Sequence, residues 1–267
     1  MDSEIGKFLT ARRARVAPED RGLAAGTRRR VPGLRREEVA LLAGVSVDYY
    51  VRLEQGRAEA PSDQVLQAIA EALGLDATAR AHLKLLARPR RDASAAAQEA
   101  SPGKRALLDA MREVPAVIAG PWQEILYTNR LGTALLPAEY PGPGRNAARH
   151  VFLSPAARAY YADWETVASD TVSVLRQESG LDPLNPGLVG LVAELEAASP
   201  EFARLWALHD VQVKSDGIIR INHPVAGPLR LNYEFLSSGT GAERIVTYLP
   251  ADAATAEALT RLSPEPS

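Results

Sequence analysis

Gly33-Leu34-Arg35-Arg36-Glu37-Glu38-Val39-Ala40-Leu41-Leu42-Ala43-Gly44-Val45-Ser46-Val47-Asp48-Tyr49-Tyr50-Val51-Arg52-Leu53-Glu54-Gln55-Gly56 joins two helix-sized patterns through a glycine turn. Between Leu34 and Ala43, the residues Val39, Leu41 and Leu42 fall at helical spacing, and Gly44 ends the pattern. Ser46 offers a capping oxygen to the helix that follows, which runs to Gln55 before Gly56 stops it. Ala40 is small enough to let that second helix cross closely, while Val45, Tyr50 and Leu53 close a shared core. The stretch therefore reads as a helix-turn-helix.

Working outward, Ile5, Phe8 and Leu9 form an apolar stripe on a helix over Ile5 to Arg15, with Arg12 and Arg13 on its basic side. Val16 to Gly33 is polar, rich in Gly, Pro and Arg, and predicts a long basic loop containing Arg28, Arg29 and Arg30. Downstream, Ser62 caps a helix from Asp63 to Leu73, whose apolar positions repeat at three and four. Gly74 ends it, and Asp76 or Thr78 begins a last helix through Leu86. The residues up to Arg91 carry 17 Lys and Arg against 12 Asp and Glu, a net of +5, whereas the remainder carries a net of −7. The basic half is thus the candidate for a polyanionic partner. Hydrophobic periodicity lapses over residues 89–104, which predicts a helix-turn-helix domain at 1–88, a linker, and a second domain at 105–267.

That second domain opens with a helix around Arg105 to Glu113, then a hairpin of Ala116 to Gly120 and Glu124 to Thr128. Helices are predicted over Arg130 to Leu136, Pro155 to about Glu178, Gly187 to Ala198 and Pro200 to Leu208. Three strands follow: Val211 to Asn222 with a break near Asp216-Gly217, Leu229 to Leu236, and Arg244 to Leu249. Their order predicts an antiparallel meander with helices inserted between the second and third strands. Gly239-Thr240-Gly241 reads as a hairpin turn, lacking the lysine and strand-loop-helix setting of a phosphate loop. With no cysteine in 267 residues, disulfides and thiolate chemistry are excluded. No apolar run reaches the roughly 20 residues of a membrane span, and the acidic start Met1-Asp2-Ser3-Glu4 lacks a basic leader. A cytoplasmic protein is expected.

In pattern and order, Ile5 to Leu86, including the ending Leu53-Glu54-Gln55-Gly56, resembles the XRE or lambda-repressor-like helix-turn-helix regulators. The resemblance places Ser46, Val47, Asp48, Tyr49 and Arg52 at the exposed front of the recognition helix, where base edges are read. Arg52 is the leading candidate for a guanine contact because its guanidinium bonds two acceptors at once. Arg36 stands where the family commonly has a phosphate-binding Gln, and the family's buried ion pair maps onto Arg13 and Glu54. Arg28, Arg29, Arg30 and Arg57 complete the DNA-binding candidates; the three-arginine run reads either as a solvated loop or as a track along the phosphates. A homodimer is expected, since two-fold symmetry doubles the few base pairs one recognition helix contacts.

Asp163-Trp164, Ser199-Pro-Glu-Phe-Ala-Arg-Leu-Trp206-Ala-Leu-His209-Asp-Val and His223-Pro-Val-Ala-Gly-Pro-Leu-Arg-Leu-Asn-Tyr-Glu234 resemble the MmyB-like regulators, over about Leu107 to Leu262 together with Gly33 to Arg36. That resemblance implies an α+β, PAS-like ligand-binding domain, with fatty-acid-like molecules as proposed ligands. Aromatic residues concentrate here, and a pocket needs apolar walls with a few orienting polar groups. The candidates are Trp122, Tyr127, Asn129, Phe152, Tyr161, Trp164, Phe202, Trp206, His209, His223 and Tyr233; each aromatic also reads as plain core. His209 and His223 lack a second histidine or cysteine at ligand spacing, so neither metal nor cofactor is expected, and no nucleophile-base-acid set points to an enzyme. Two readings of the second domain stay open: a sensor of a small apolar ligand, or a module that only dimerises or recruits a protein.

Overall fold

In the computed structural model, Ser3 starts the first helix, its hydroxyl oxygen accepting from the Gly6 amide at 3.1 Å. Such a cap is worth about 1 kcal/mol over alanine. The structure describes residues 3–23, 33–58, 61–88, 99–140, 144–183, 185–211, 216–237 and 243–262. Helices α1 (Glu4–Arg15), α2 (Arg36–Leu42), α3 (Val47–Glu54), α4 (Asp63–Ala72) and α5 (Ala77–Ala87) succeed one another. Ser46, Ser62 and Asp76 cap α3, α4 and α5, each accepting from the amide three residues on. A single 3-10 turn, Pro18–Arg21, interrupts the basic loop where no element is predicted. Pro18, first in the turn, has the fixed φ that such a turn needs.

Phe8, Leu9, Leu34, Tyr50, Leu66, Ile69 and Leu83 fill one core, each with at most 1% of its surface exposed. Burying a large apolar side chain contributes about 1.5–3 kcal/mol. Gly6 permits the closest crossing, because a Cβ there would stand 1.9 Å from the Glu54 carbonyl oxygen. The compact unit consists of Met1–Ala93 together with Arg176–Asn185 and Arg204–Gln212. Both of the later segments fall inside the stretch that periodicity assigns to the second domain. Val211, expected to open a strand, is instead buried in the helical core at 4% exposure. Short apolar runs do not reveal which core they enter.

Within this unit, the Phe8 ring meets the edges of His82 at 5.3 Å and His209 at 6.5 Å. Burial, reinforced by the Arg176 guanidinium, pushes both imidazoles down to about 3. Both are therefore neutral in the fold, whereas the unfolded chain takes up protons near pH 6.5. Stability should be level above pH 6.5 and fall as the pH drops from there toward 3. The slope approaches that of two protons, about 2.7 kcal/mol per pH unit. Hydrogen exchange of the α1 amides between pH 7.5 and 5 measures it; protection independent of pH, after correction for intrinsic exchange, would contradict the assignment.

The second unit comprises Ser94–Leu175, Pro186–Ala203 and Val213–Ser267. Its strands β1 (Ala116–Ala119), β2 (Ile125–Thr128), β3 (Asp216–His223), β4 (Gly227–Ser237) and β5 (Arg244–Pro250) form one sheet in the order β2-β1-β5-β4-β3. Every pairing is antiparallel. The expected meander is β3-β4-β5, and β5 then returns to lie beside β1, with Val117 opposite Val246. Residues alternate between the two faces of a strand. Register therefore gathers Val117, Val246, Tyr248, Tyr233, Leu231 and Ile221 on one face, and Ile118, Ile245 and Tyr127 on the other. Leu108 and Met111 pack on the latter.

The helices are α6 (Pro102–Ala110), α7 (Arg130–Leu135), α8 (Ala147–Leu153), α9 (Ala157–Tyr160), α10 (Trp164–Leu181), α11 (Pro186–Ala198), α12 (Pro200–Ala207) and α13 (Ala253–Leu262). The single helix predicted from Pro155 to Glu178 is corrected to α9 and α10. Tyr161 between them is extended and bridges Ile221, while the Ala162 amide donates to the Arg220 carbonyl at 3.0 Å. Asp163 accepts from the Arg220 guanidinium. Pairing with the edge of β3 thus wins over continued helix, a long-range contact invisible to local periodicity. Helices α8 and α13 were not anticipated either; Asn146 caps α8, and Thr255 of α13 accepts from the Arg230 amide of β4 at 3.0 Å. No described helix is long and apolar enough to cross a membrane.

Candidate DNA interface and ligand site

Gly44 makes the turn between α2 and α3 with φ of 63°, the left-handed conformation that glycine adopts without steric cost. The turn leads to Ser46, and α3 then buries Tyr50, Leu53 and Glu54 on one face. The opposite face presents Val47, Asp48 and Arg52 to solvent, with Tyr49 half-buried. The Arg52 guanidinium lies 3.3 Å from the Asp48 carboxylate one turn earlier. Since that pair is exposed, it contributes at most a few tenths of a kcal/mol, and a base edge competes with it readily. Arg57 is exposed just past the helix, where its amide donates to the Arg52 carbonyl at 2.8 Å.

Glu54 orients this face from beneath. Its carboxylate, 1% exposed, accepts from Arg13 Nε at 2.7 Å and from Arg36 Nε at 2.6 Å. Arg13 also donates to the Leu34 carbonyl at 2.7 Å. One buried carboxylate between two guanidiniums satisfies the rule that buried charge must be paired, and leaves a net positive charge. The Arg36 side chain keeps 48% of its surface in solvent, so it stays within reach of an anion while anchored to Glu54. Arg28, Arg29 and Arg30 lie outside the described residues.

In the second unit the structure sorts the ligand candidates into groups. Phe152, Trp164 and Phe202 come together, with ring centroids of Phe152 at 6.0 Å from Trp164 and 5.0 Å from Phe202. Trp164 Nε1 donates to the Val151 carbonyl at 2.9 Å, and Arg158 covers the ring. Tyr161 belongs to a second cluster, 5.7 Å from His150 and 4.9 Å from Tyr160. Tyr233 stands on the sheet face opposite Tyr248 in the ladder. Trp122 packs in the turn after β1 against Gly187. Tyr127 lies on the other face of the sheet, its hydroxyl donating to Asp109 at 2.7 Å.

Asn129 and His223 commit their polar atoms to the protein. The Asn129 amide nitrogen donates to the Met111 and Val114 carbonyls at 2.8 and 2.7 Å, while its oxygen accepts from the amides of Ala116 and Gly132. His223 Nδ1 accepts from the Val225 and Ala226 amides, so its proton sits on Nε2 and is donated to the Ala134 carbonyl at 2.9 Å. Trp206 and His209 fall in the first unit, where the Arg176 guanidinium lies 3.4 Å over the Trp206 ring and the His209 carbonyl accepts from Arg12 at 2.9 Å.

Sequence reasoning passed over Tyr140, His150, Tyr160 and Tyr248 as site residues. Tyr248 was within reach, because strict alternation along β5 puts it beside Val246. The ring of Tyr140 lies 5.2 Å from His150, and Tyr160 5.9 Å. Tyr160 donates its hydroxyl to the Leu135 carbonyl at 2.6 Å. His150 Nδ1 faces the Glu139 carbonyl at 3.2 Å and so bears the proton, leaving buried Nε2 as an acceptor without a partner among the described residues. Burial lowers its pKa and keeps the ring neutral.

An exposed recognition helix on a capped helical core is the arrangement of a helix-turn-helix DNA-binding domain, and a mixed domain follows it. Residues 4–83 match the model of a helix-turn-helix domain, and residues 100–262 match the MmyB-like transcription regulator ligand binding domain. The latter spans more than half of the chain, which belongs to the MmyB-like transcription regulators. None of the curated proteins matches it.

Proposed function

We propose that this regulator acts in the cytoplasm as a homodimer of XRE type. In this reading each copy inserts the front of α3 into a major groove, and the C-terminal PAS-like domain takes up a small apolar molecule, a fatty acid among the candidates. The exposed row Val47, Asp48 and Arg52 above the buried Glu54 supports the DNA contact. Arg52 reads a guanine from the front of the recognition helix, where Ser46, Val47, Asp48 and Tyr49 also face the base edges; Arg36, Arg57 and the run Arg28, Arg29 and Arg30 position the phosphate backbone. Helices inserted between β2 and β3 of an antiparallel sheet support the PAS-like label.

Arg52→Ala should weaken binding to the selected operator by about 10- to 100-fold, the cost of one bidentate base contact at about 1–3 kcal/mol. Affinity for unrelated DNA should hardly move. Titration of a labelled operator and of a scrambled duplex tests this; equal losses on both would reject base readout by Arg52.

A second reading is favoured by Ile218, Leu236 and Leu249, exposed at 51%, 47% and 41% on one face of the sheet. There the domain would only dimerise or recruit a protein. Native mass spectrometry of the full chain separates the two: a co-purified small molecule supports sensing, and a dimer that carries none supports the module.

A further inference from the structure

On the sheet face that carries Ile118 and Ile245, Leu108 and Met111 pack over the side formed by β1 and β5. Over β3 and β4 the same face is open. Asp216, Ile218, Arg220 and Asn222 of β3 are all exposed here, whereas the alternate residues Ile221 and His223 are buried on the other side. An antiparallel sheet that leaves one face to water ordinarily makes it polar, yet Ile218, Leu236 and Leu249 are exposed on this one.

Register arranges the open face in rows across the strands. Asp216 stands opposite Glu234, and Arg220 opposite Arg230. Between them runs an uncharged row of Ile218, Asn232 and Leu249. Same-face residues follow one another at about 7 Å along a strand, so the acidic and basic rows flank the uncharged one at equal distance. Along β4 this face reads Pro228, Arg230, Asn232, Glu234, Leu236, a pattern that complements itself about Asn232. A two-fold axis laid along the uncharged row turns a second copy face to face with the first and reverses its strands. Each acidic row then meets a basic row, across the roughly 10 Å between packed sheets that an arginine and a glutamate span together. Leu236 meets Pro228, while on the axis Ile218 and Leu249 meet their own counterparts. The Asn232 amides, each with donors and an acceptor, pair with one another. Arg220 is also held by Asp163 beyond the strand edge, and Arg230 acts on Asp252 past the end of β5. Solvent reaches both of these carboxylates, so they compete only weakly with those of a second copy.

We propose that a second copy of this chain covers the open face, the two sheets packing antiparallel about the row Ile218, Asn232 and Leu249. The inference rests on the homodimer reading and names its interface. Sedimentation velocity of the full chain without DNA, over a concentration series, tests it with Glu234→Lys and Arg230→Glu, two exposed positions of β4 that leave the pair of Arg220 with Asp163 intact. The two-fold repeats every contact, so either substitution turns two attractions into two repulsions and should weaken the dimer about ten-fold or more. An equimolar mixture of the two variants should dimerise about as well as the parent, because the introduced lysine and glutamate then face each other; the same recovery shows that both variants fold. Ile218→Glu sets like charges on the axis and should dissociate the dimer with no recovery on mixing.

A parent that stays monomeric at every concentration would overturn the homodimer reading, and the inference with it. A dimer that all three substitutions preserve would overturn this interface alone, leaving the homodimer intact and the face to a different protein. A dimer that both charge variants weaken and their mixture does not restore would overturn the antiparallel pairing.

Discussion

Glu54→Ala is expected to destabilise the helical unit by about 3–5 kcal/mol, the cost of breaking a buried ion pair by removing one partner. Two guanidiniums converge on that carboxylate, and they differ. Arg13 is 13% exposed and spends a second donor on the Leu34 carbonyl, so it cannot turn to water. Arg36 is 48% exposed and can. The loss should therefore come mainly through Arg13, and Arg36→Ala should cost no more than about 1 kcal/mol, as exposed pairs do. Urea unfolding read by hydrogen exchange in α1 and α3 measures both. A Glu54→Ala loss below 1 kcal/mol would show that the triad carries little, and that packing alone sets the angle between α1 and α3. Because α3 carries Arg52, the same variant should also weaken operator binding more than its stability loss explains.

The helical unit was largely legible because its signals are local. Ser3 aside, the caps Ser46, Ser62 and Asp76 and the stop at Gly44 each act within four residues, and the helices begin and end where those residues stand. The resemblance-derived pair of Arg13 and Glu54 is present, but the share that Arg36 takes in it was not foreseen, since a side chain 18 positions away leaves no periodic trace. The second unit was legible in its strands, which alternate, and less so in its helices. Tyr160-Tyr161 looks like the middle of a long helix until β3, some 60 residues on, offers Tyr161 a partner. Asn129 and His223 looked like ligand groups because polar residues among aromatics suggest orientation, yet backbone groups of the protein, most of them distant in sequence, take up their donors and acceptors.

Phe8→Ala should cost about 3–5 kcal/mol, as large-to-small changes at fully buried aromatics do, and its effect should reach a segment almost 200 residues away. Phe8 has no exposed surface and packs on the rings of His82 and His209, beside buried Val211 in the same core. The surrounding ion pairs of Arg12 and Arg15 with Asp210 are too exposed on the Asp210 side, at 41%, to hold residues 204–211 by themselves. Apolar contact with α1 is then what holds that segment, and the two should open as one cooperative unit. Native-state hydrogen exchange should show α1, α5 and residues 204–211 losing equal protection in Phe8→Ala. Val211→Ala should lower the same set by about 1–3 kcal/mol. Loss in α1 with full protection retained at 204–211 would break the link. The region matched as ligand-binding domain includes these residues, so part of the core beneath the recognition helix is supplied by chain outside the helix-turn-helix match. Any event that withdraws residues 204–211 from Phe8 would then be felt as lost stability in the unit that carries Arg52.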